Sequence, residues 1–279
     1  MSSAAFLAPR QVTIVRGVWM AVTLVLALMT IFPLVYMVSI AFKGQTEVFS
    51  PNLIPKAPTF GNVIYVLTEV PFLRYLANTF VVSIVVTVLA LWFHTMAGYA
   101  LARLRFPGRE TIFLAIFSTF LVSLPVIIVP LFILVRWMGM LNTYAGLIVP
   151  AIFNAFGIFL LRQYYLSLPR ELEEAARIDG AGYWRIYWSV ILPLSRPIVA
   201  SLAILFFLAN WNSFLWPLTV ASDSNLWVVQ VGIANFKSQY SASWNYIMAA
   251  STIVAAPMLV IFVIFQRQIM ESIKTSGLK

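Results

Sequence analysis

The 279 residues include only nine carboxylates, one histidine and no cysteine. Four of those carboxylates, Glu171, Glu173, Glu174 and Asp179, crowd into one short stretch with Arg177 among them. No Ser/His pair, Asp/Asp pair or His/Glu constellation accompanies them, so an intramembrane enzyme has no machinery to use and no catalytic residue is assigned. The absence of cysteine excludes disulfides, thiol catalysis and cysteine-ligated metals, and His94 alone cannot build a metal site. No GxxxxGK[ST] loop occurs, so any ATP hydrolysis has to come from another chain.

The elements that carry this stretch are apolar. The chain is 62% hydrophobic and 10% charged, with a mean hydropathy of +0.93, which describes a protein solvated by lipid. A net charge of +9 does not point to nucleic acid, because the basic residues are scattered among loops between apolar runs. About 20 apolar residues cross a bilayer as a helix. Runs at 18–41, 76–101, 112–135, 144–161, 198–220 and 246–265 meet that length. The first is too long for a signal-peptide core and reads as a retained span. Thirteen of the 18 basic residues fall on one side of these spans, which places both termini and the 162–197 loop in the cytoplasm. The reading is an all-α membrane protein with six transmembrane helices. Residues 1–74 hold the first span and an external loop, in which a short interfacial helix is expected near 60–68. Residues 75–279 hold the rest.

Within the polar loop, Pro169 suits the first turn of a helix, and the glutamates that follow complement its dipole. Glu173 and Arg177 stand four apart in the favourable order. Gly180 can supply the left-handed residue that ends the helix. A second helix over 183–190 would then stop at Leu192-Pro193. One face of the first helix presents Leu172, Ala175, Ala176 and Asp179 to a partner. A solvated connector is the competing reading.

Glu174-Ala175-Ala176, Asp179-Gly180-Ala181 and Leu192-Pro193 resemble the EAA signature of the membrane subunits of bacterial ABC importers. The resemblance implies a coupling helix between spans four and five, docked in a cleft of a separate ATPase. Glu174 would make the contact and Gly180 the turn. Residues 98–109, 139–143 and 211–218 are similar to stretches of carbohydrate permeases, and within them to the maltose-type second permease. Ser213 stands where that pattern commonly has Glu. The implied assembly contains a second homologous permease, a cytoplasmic ABC ATPase dimer that holds ATP and magnesium, and an extracytoplasmic substrate-binding protein. It sits in the lipid of a bacterial inner membrane, with no nucleic acid and no cofactor in this chain. The implied function is half of a translocation pathway for a sugar or related polyol.

Asn78, Thr79, His94, Asn154, Asn210 and Asn212 interrupt the apolar runs, where an unpaired polar group is costly. Asn210, Trp211, Asn212 and Trp216 combine amides with aromatic rings, a pairing suited to a sugar's hydroxyl edges and apolar faces. Asn212 and Trp216 fall four apart, on one helical face, and are candidates for the substrate path. Interhelical hydrogen bonding and an interfacial aromatic belt are the alternative. His94 reads as a helix–helix hydrogen-bonding group. The external segment 223–244, with Trp227, Phe236, Tyr240 and Trp244, reads as a membrane-surface loop, and the resemblance implies that it faces the substrate-binding protein. The basic tail 267–279 would contact the ATPase or anchor the sixth span. A self-contained secondary carrier is the alternative function. It calls for carboxylates inside spans and internal repeats, and neither is present in the sequence.

Overall fold

A computed structural model of the chain describes the backbone of residues 9–239 and 243–276 and the side chains of 16–236 and 243–266. The side chains of Arg10, Lys237, Arg267 and Lys274, and Tyr240 and Lys279 altogether, lie outside the described residues, as does the proposed tail contact. Every regular element among the described residues is helical. Four helical segments are long and apolar enough to cross a membrane, Arg16–Ala41, Phe72–Arg103, Tyr144–Ser167 and Trp244–Gln266. Two bent pairs bring the total to six if each pair is one span.

The bent pairs refine the sequence reading. The 112–135 run is two helices, α4 (Arg109–Thr119) and α5 (Leu124–Trp137), meeting at 102°. Ser123 and Pro125 account for the break, since proline is accepted at a helix start and not in its interior. The second bent pair joins the Tyr183–Leu194 segment to α11 (Arg196–Trp211) at 75°. The 198–220 run is also broken, because α11 ends at Trp211 and α12 (Leu215–Val220) begins after a short gap.

The chain forms two compact units. The first comprises residues 1–70 and 236–255. It holds α1 (Pro9–Ala41), α2 (Gly61–Thr68) and the start of α14 (Trp244–Ser276), so the short helix expected near 60–68 is present. The Asn62 amide donates to the carbonyls of Ala41 and Lys43, both at 2.8 Å, and accepts from the Asn245 amide at 2.7 Å. Lys43 is fully buried, donating to the Ser50 carbonyl at 3.0 Å. Most apolar side chains of α1 between Val18 and Val38 are exposed, as suits a helix solvated by lipid.

The second unit comprises residues 71–235 and 256–279, and its axis is α3 (Phe72–Arg103). At 1.5 Å per residue its 32 residues extend roughly 48 Å, more than the ~30 Å of hydrocarbon, so one or both ends project to headgroup level. Helices α6 (Tyr144–Ile152), α7 (Ala155–Ser167) and α11 pack on it. Gly98 makes the α3–α7 contact possible, because a Cβ there would meet the Leu161 Cβ at 2.8 Å and the Arg162 backbone nitrogen at 3.2 Å. Small residues at membrane helix crossings let backbones approach in this way. His94 is the hydrogen-bonding group expected of it. Its Nε2 accepts from the Asn154 backbone amide at 3.3 Å, and its ring stands edge-on to Phe206.

At the other end of α3, the Asn78 amide donates to the carbonyls of Asn225 and Trp227 and accepts from the Tyr144 hydroxyl at 2.6 Å. Thr79 accepts from the Val229 backbone at 2.9 Å. These bonds hold a segment the sequence left as a loop. It contains a 3-10 turn at Ser224–Leu226 and an 11-residue helix, α13 (Val229–Gln239). Val229 and Val231 are fully buried, so burial rather than charge pattern makes the segment helical.

Gly98→Leu should lower the melting temperature of the detergent-solubilised chain, with overpacking costing about 1–3 kcal/mol. Gly17→Leu, where a side chain meets nothing within 4 Å, should not. Equal losses at both positions would contradict this packing.

Candidate functional site

The acidic stretch forms α8 (Glu171–Ile178). Arg170, not Pro169, stands at its cap, and the Arg170 carbonyl accepts from Glu173 and Glu174 at 3.0 and 3.1 Å. Pro169 therefore precedes the helix instead of filling its first turn. Gly180 follows α8 with φ of +79°, a conformation that costs little only for glycine. The Gly180 amide donates to Arg177 at 2.9 Å, and the Ala181 amide reaches back to Ala176 at 2.9 Å. This pattern closes a helix through a left-handed residue.

The chain re-enters as α9 (Tyr183–Ile186), then a π-helical turn over Tyr187–Ile191, then α10 (Leu192–Leu194). The sequence had Leu192-Pro193 ending this helix, and the structure carries the helix through them. Leu192 donates to the Tyr187 carbonyl five residues back. The wider turn accommodates a proline that has no N–H to give.

The inward face of α8 differs from the one drawn from spacing. Glu173 does not pair with Arg177. It turns inward to the Arg103 guanidinium at 3.1 Å, and the two side chains are only 7% and 4% exposed. Arg103 also donates to the Leu168 carbonyl. Arg177 stacks instead over the Tyr183 ring, 5.1 Å from its centroid. Ala176 packs against the cluster of Tyr99, Tyr165, Ile186 and Tyr187, so it is not on the outward face with Ala175. A tertiary partner has overridden the local i,i+4 pair, which is worth only ~0.2–0.5 kcal/mol on a helix surface.

A second fastening lies about two helical turns away on α3, where Thr95 and the buried Tyr187 share a hydroxyl hydrogen bond of 2.8 Å. Leu192 packs on the same cluster, Pro193 is half-buried beside it, and Tyr164 of α7 donates to the Leu194 carbonyl at 2.9 Å. Beneath the loop, the Arg162 guanidinium grips both oxygens of Glu110 at 2.9 and 2.8 Å. It also donates to the Leu101 carbonyl at 3.2 Å and lies over the Phe113 ring. The outward face carries Leu172, Glu174, Ala175, Ile178 and Asp179, all exposed. Ile178, at 87% exposure, is an apolar side chain presented to the surroundings by a helix fixed from behind.

The residues proposed for a substrate path lie apart from this loop. Asn210 donates to Phe206 within its own helix at 2.8 Å. Trp211 is fully buried, edge-on to Phe80 at 4.7 Å. Trp216 is buried against Val135 and donates to the Gly146 carbonyl at 3.0 Å. Asn212 is exposed and within reach of Gln230 at 3.4 Å. The helix break after Trp211 removes the i,i+4 relation assumed for Asn212 and Trp216, so they do not share a face.

The family described as binding-protein-dependent transport system inner membrane component matches residues 94–275. The chain belongs to this family. It is a membrane permease of an ABC importer, a transport component and not by itself an enzyme. The arabinooligosaccharides transport system permease protein AraQ of Halalkalibacterium halodurans is 34% identical over 91% of this chain and 93% of its own length. The diacetylchitobiose uptake system permease protein NgcG of Streptomyces coelicolor is 33% identical over 91% of this chain and 85% of its own. The sn-glycerol-3-phosphate transport system permease protein UgpE of Yersinia enterocolitica is 34% identical over 86% and 89%. A crystal structure of a bacterial ABC transporter involved in the import of the acidic polysaccharide alginate superposes with a TM-score of 0.83 at 25% identity. The match covers 95% of this chain and 99% of that one. The permease is thus a multi-pass inner-membrane protein, with the EAA motif and coupling helix typical of its family.

The spacing of the EAA motif was legible in the permease sequence, but the Arg103–Glu173 pair was not. The available signal was an arginine at the end of a long apolar run combined with a second glutamate beside Glu174. Glu173→Ala and Arg103→Ala should each destabilise the purified permease by about 3–5 kcal/mol, since each strands a buried charge. The double variant should lose clearly less than the sum, as a double-mutant cycle on thermal unfolding would show. Strict additivity would contradict the pair.

Proposed function

We propose that this permease forms half of a translocation pathway for a sugar, oligosaccharide or related polyol, and that α8 is the element through which a separate ATPase drives it. The observation that carries the reading is the two-faced loop. Its inner face is locked to α3 by a buried ion pair and a buried hydroxyl bond, and its outer face offers Ile178, Leu172 and Ala175 between charges. A helix fixed on one side and apolar on the other is suited to passing a push from a soluble partner to the span behind it. The partners are a second homologous permease, a cytoplasmic ABC ATPase dimer binding ATP and magnesium, and an extracytoplasmic substrate-binding protein. Both termini and α8 lie in the cytoplasm, by the distribution of basic residues. The named relatives support the substrate class, because they serve arabinooligosaccharides, diacetylchitobiose and glycerol phosphate.

In this mechanism Glu174, Ala175 and Asp179 lie against the ATPase. Gly180 holds the turn that sets the angle between α8 and α9, while Ala176, Leu192 and Pro193 seat the loop on the bundle. Closure of the ATPase pair moves α8, and α3 moves with it because the two are fastened together. Access to the path then switches between the two sides of the membrane. Asn212, exposed at the end of α11, is the amide best placed to meet a hydroxylated substrate. Trp211 and Trp216, with Asn210, shape the wall behind it.

Ile178→Asp should leave the permease folded yet strongly reduce the ATPase that co-purifies with it. Gly180→Pro cannot adopt a φ of +79° and should abolish transport-coupled ATP hydrolysis. Full complex formation in Ile178→Asp, or uptake by the permease alone without ATP, would overturn the reading. Separately, Asn212→Ala should lower uptake at normal expression, and unchanged uptake would remove it from the path.

A further inference from the structure

Two clefts of opposite chemistry meet at the base of α8. One, of about 310 Å³, is lined by five arginines, Arg103, Arg105, Arg109, Arg170 and Arg177, against Glu173 and Glu174. Arg103 is committed to Glu173 and Arg109 to Glu110 at 2.9 Å. Arg105 and Arg170 are exposed. The cleft therefore keeps an excess of positive charge after its internal pairs are made.

The other, of about 530 Å³, is walled by Met96, Ala97 and Ala100 of α3, by Leu104 just past its end, and by the rings of Tyr183 and Trp184. Its walls are almost wholly apolar. From Leu104 back to Met96 this groove follows α3 for roughly 12 Å, from the charged end toward the middle of the span. Tyr183 lines both clefts, and the Arg177 guanidinium lies over its ring.

We propose that the paired clefts bind one anionic phospholipid, with its phosphate among the arginines and an acyl chain along the α3 groove. Three observations select this occupant. The arginine cleft sits where α3 ends and α4 begins, the level at which headgroups lie. Tyr183 and Trp184, 58% and 63% exposed, have the amphipathic character of rings at that level. A soluble phosphate, or a carboxylate from another protein, would satisfy the arginines and leave the apolar groove uncovered, whereas a phospholipid matches both chemistries in one molecule. Basic pockets at the ends of membrane helices recognise anionic headgroups on the same principle. A lipid seated there contacts α3, Arg170 and Tyr183 together, so it would stiffen the junction between the span and the α8–α9 loop.

The test uses the full chain in neutral detergent, titrated with spin-labelled phosphatidylglycerol and spin-labelled phosphatidylcholine, with the motionally restricted fraction as readout. Phosphatidylglycerol should bind more tightly. Arg105→Gln/Arg170→Gln should weaken it by about fivefold per charge removed and leave phosphatidylcholine unchanged. Arg185→Gln, an exposed arginine outside the cleft, should change neither. Ala97→Trp, which fills the groove, should weaken both lipids, and the arginine pair remains a sufficient test if that variant does not fold. Equal binding of the two lipids by the parent chain overturns the proposal, as does a double variant with the parent's preference. Displacement of the labelled lipid by millimolar inorganic phosphate alone would show a free-phosphate site and overturn it as well.

Discussion

Arg103 and Glu173 are removed from water at the cytoplasmic end of the proposed topology, and neither is tolerable there without the other. A buried charge that loses its partner costs several kcal/mol, far more than any contact on the exposed face of α8 can supply. The pair therefore fixes where α8 lies, and the remaining features of the loop follow from that position. Ala176 is small because α8 rests on the tyrosine cluster at that point. Gly180 takes φ of +79° because the chain must reverse within a few residues to bring Tyr187 back to Thr95. The π turn keeps Ile186 and Ile191 buried while carrying Pro193 within the helix.

With both fastenings on α3, the loop and the span behave as one body in the proposed mechanism. Gly98 extends that body to α7, and the Arg162–Glu110 contact ties α7 to α4. A displacement applied at Ile178 would then be shared among the helices that line the bundle, instead of being absorbed by a flexible connector. Buried polar contacts serve such a purpose better than apolar packing alone, because they permit one arrangement and penalise slippage.

The sequence made the membrane class, the run of apolar segments and the position of the polar loop legible, because lipid demands long apolar helices whatever the tertiary structure. It also gave the turn at Gly180, a local conformational requirement. What it could not give depended on contacts distant along the chain. Glu173 had an adequate partner four residues away and took a better one seventy residues away. Trp216 looked like a neighbour of Asn212 until the break at the end of α11 turned the two apart. Residues 229–239 carried no helical signal beyond modest apolar content, and the burial of Val229, Val231 and Phe236 decides the outcome. In each case a tertiary interaction worth more than the local preference determined the structure.

In the proposed mechanism α8 and the end of α3 move together. The chain contains no cysteine, so in a transporter whose partner subunits are also cysteine-free, Arg103→Cys/Glu173→Cys can be bridged by a short thiosulfonate cross-linker, replacing the ion pair with a covalent link. ATP-driven uptake into proteoliposomes should be retained in the bridged transporter and lost when the two cysteines are left unlinked. Uptake blocked by the bridge and restored on reduction would show that α8 must move relative to α3, and would contradict the account.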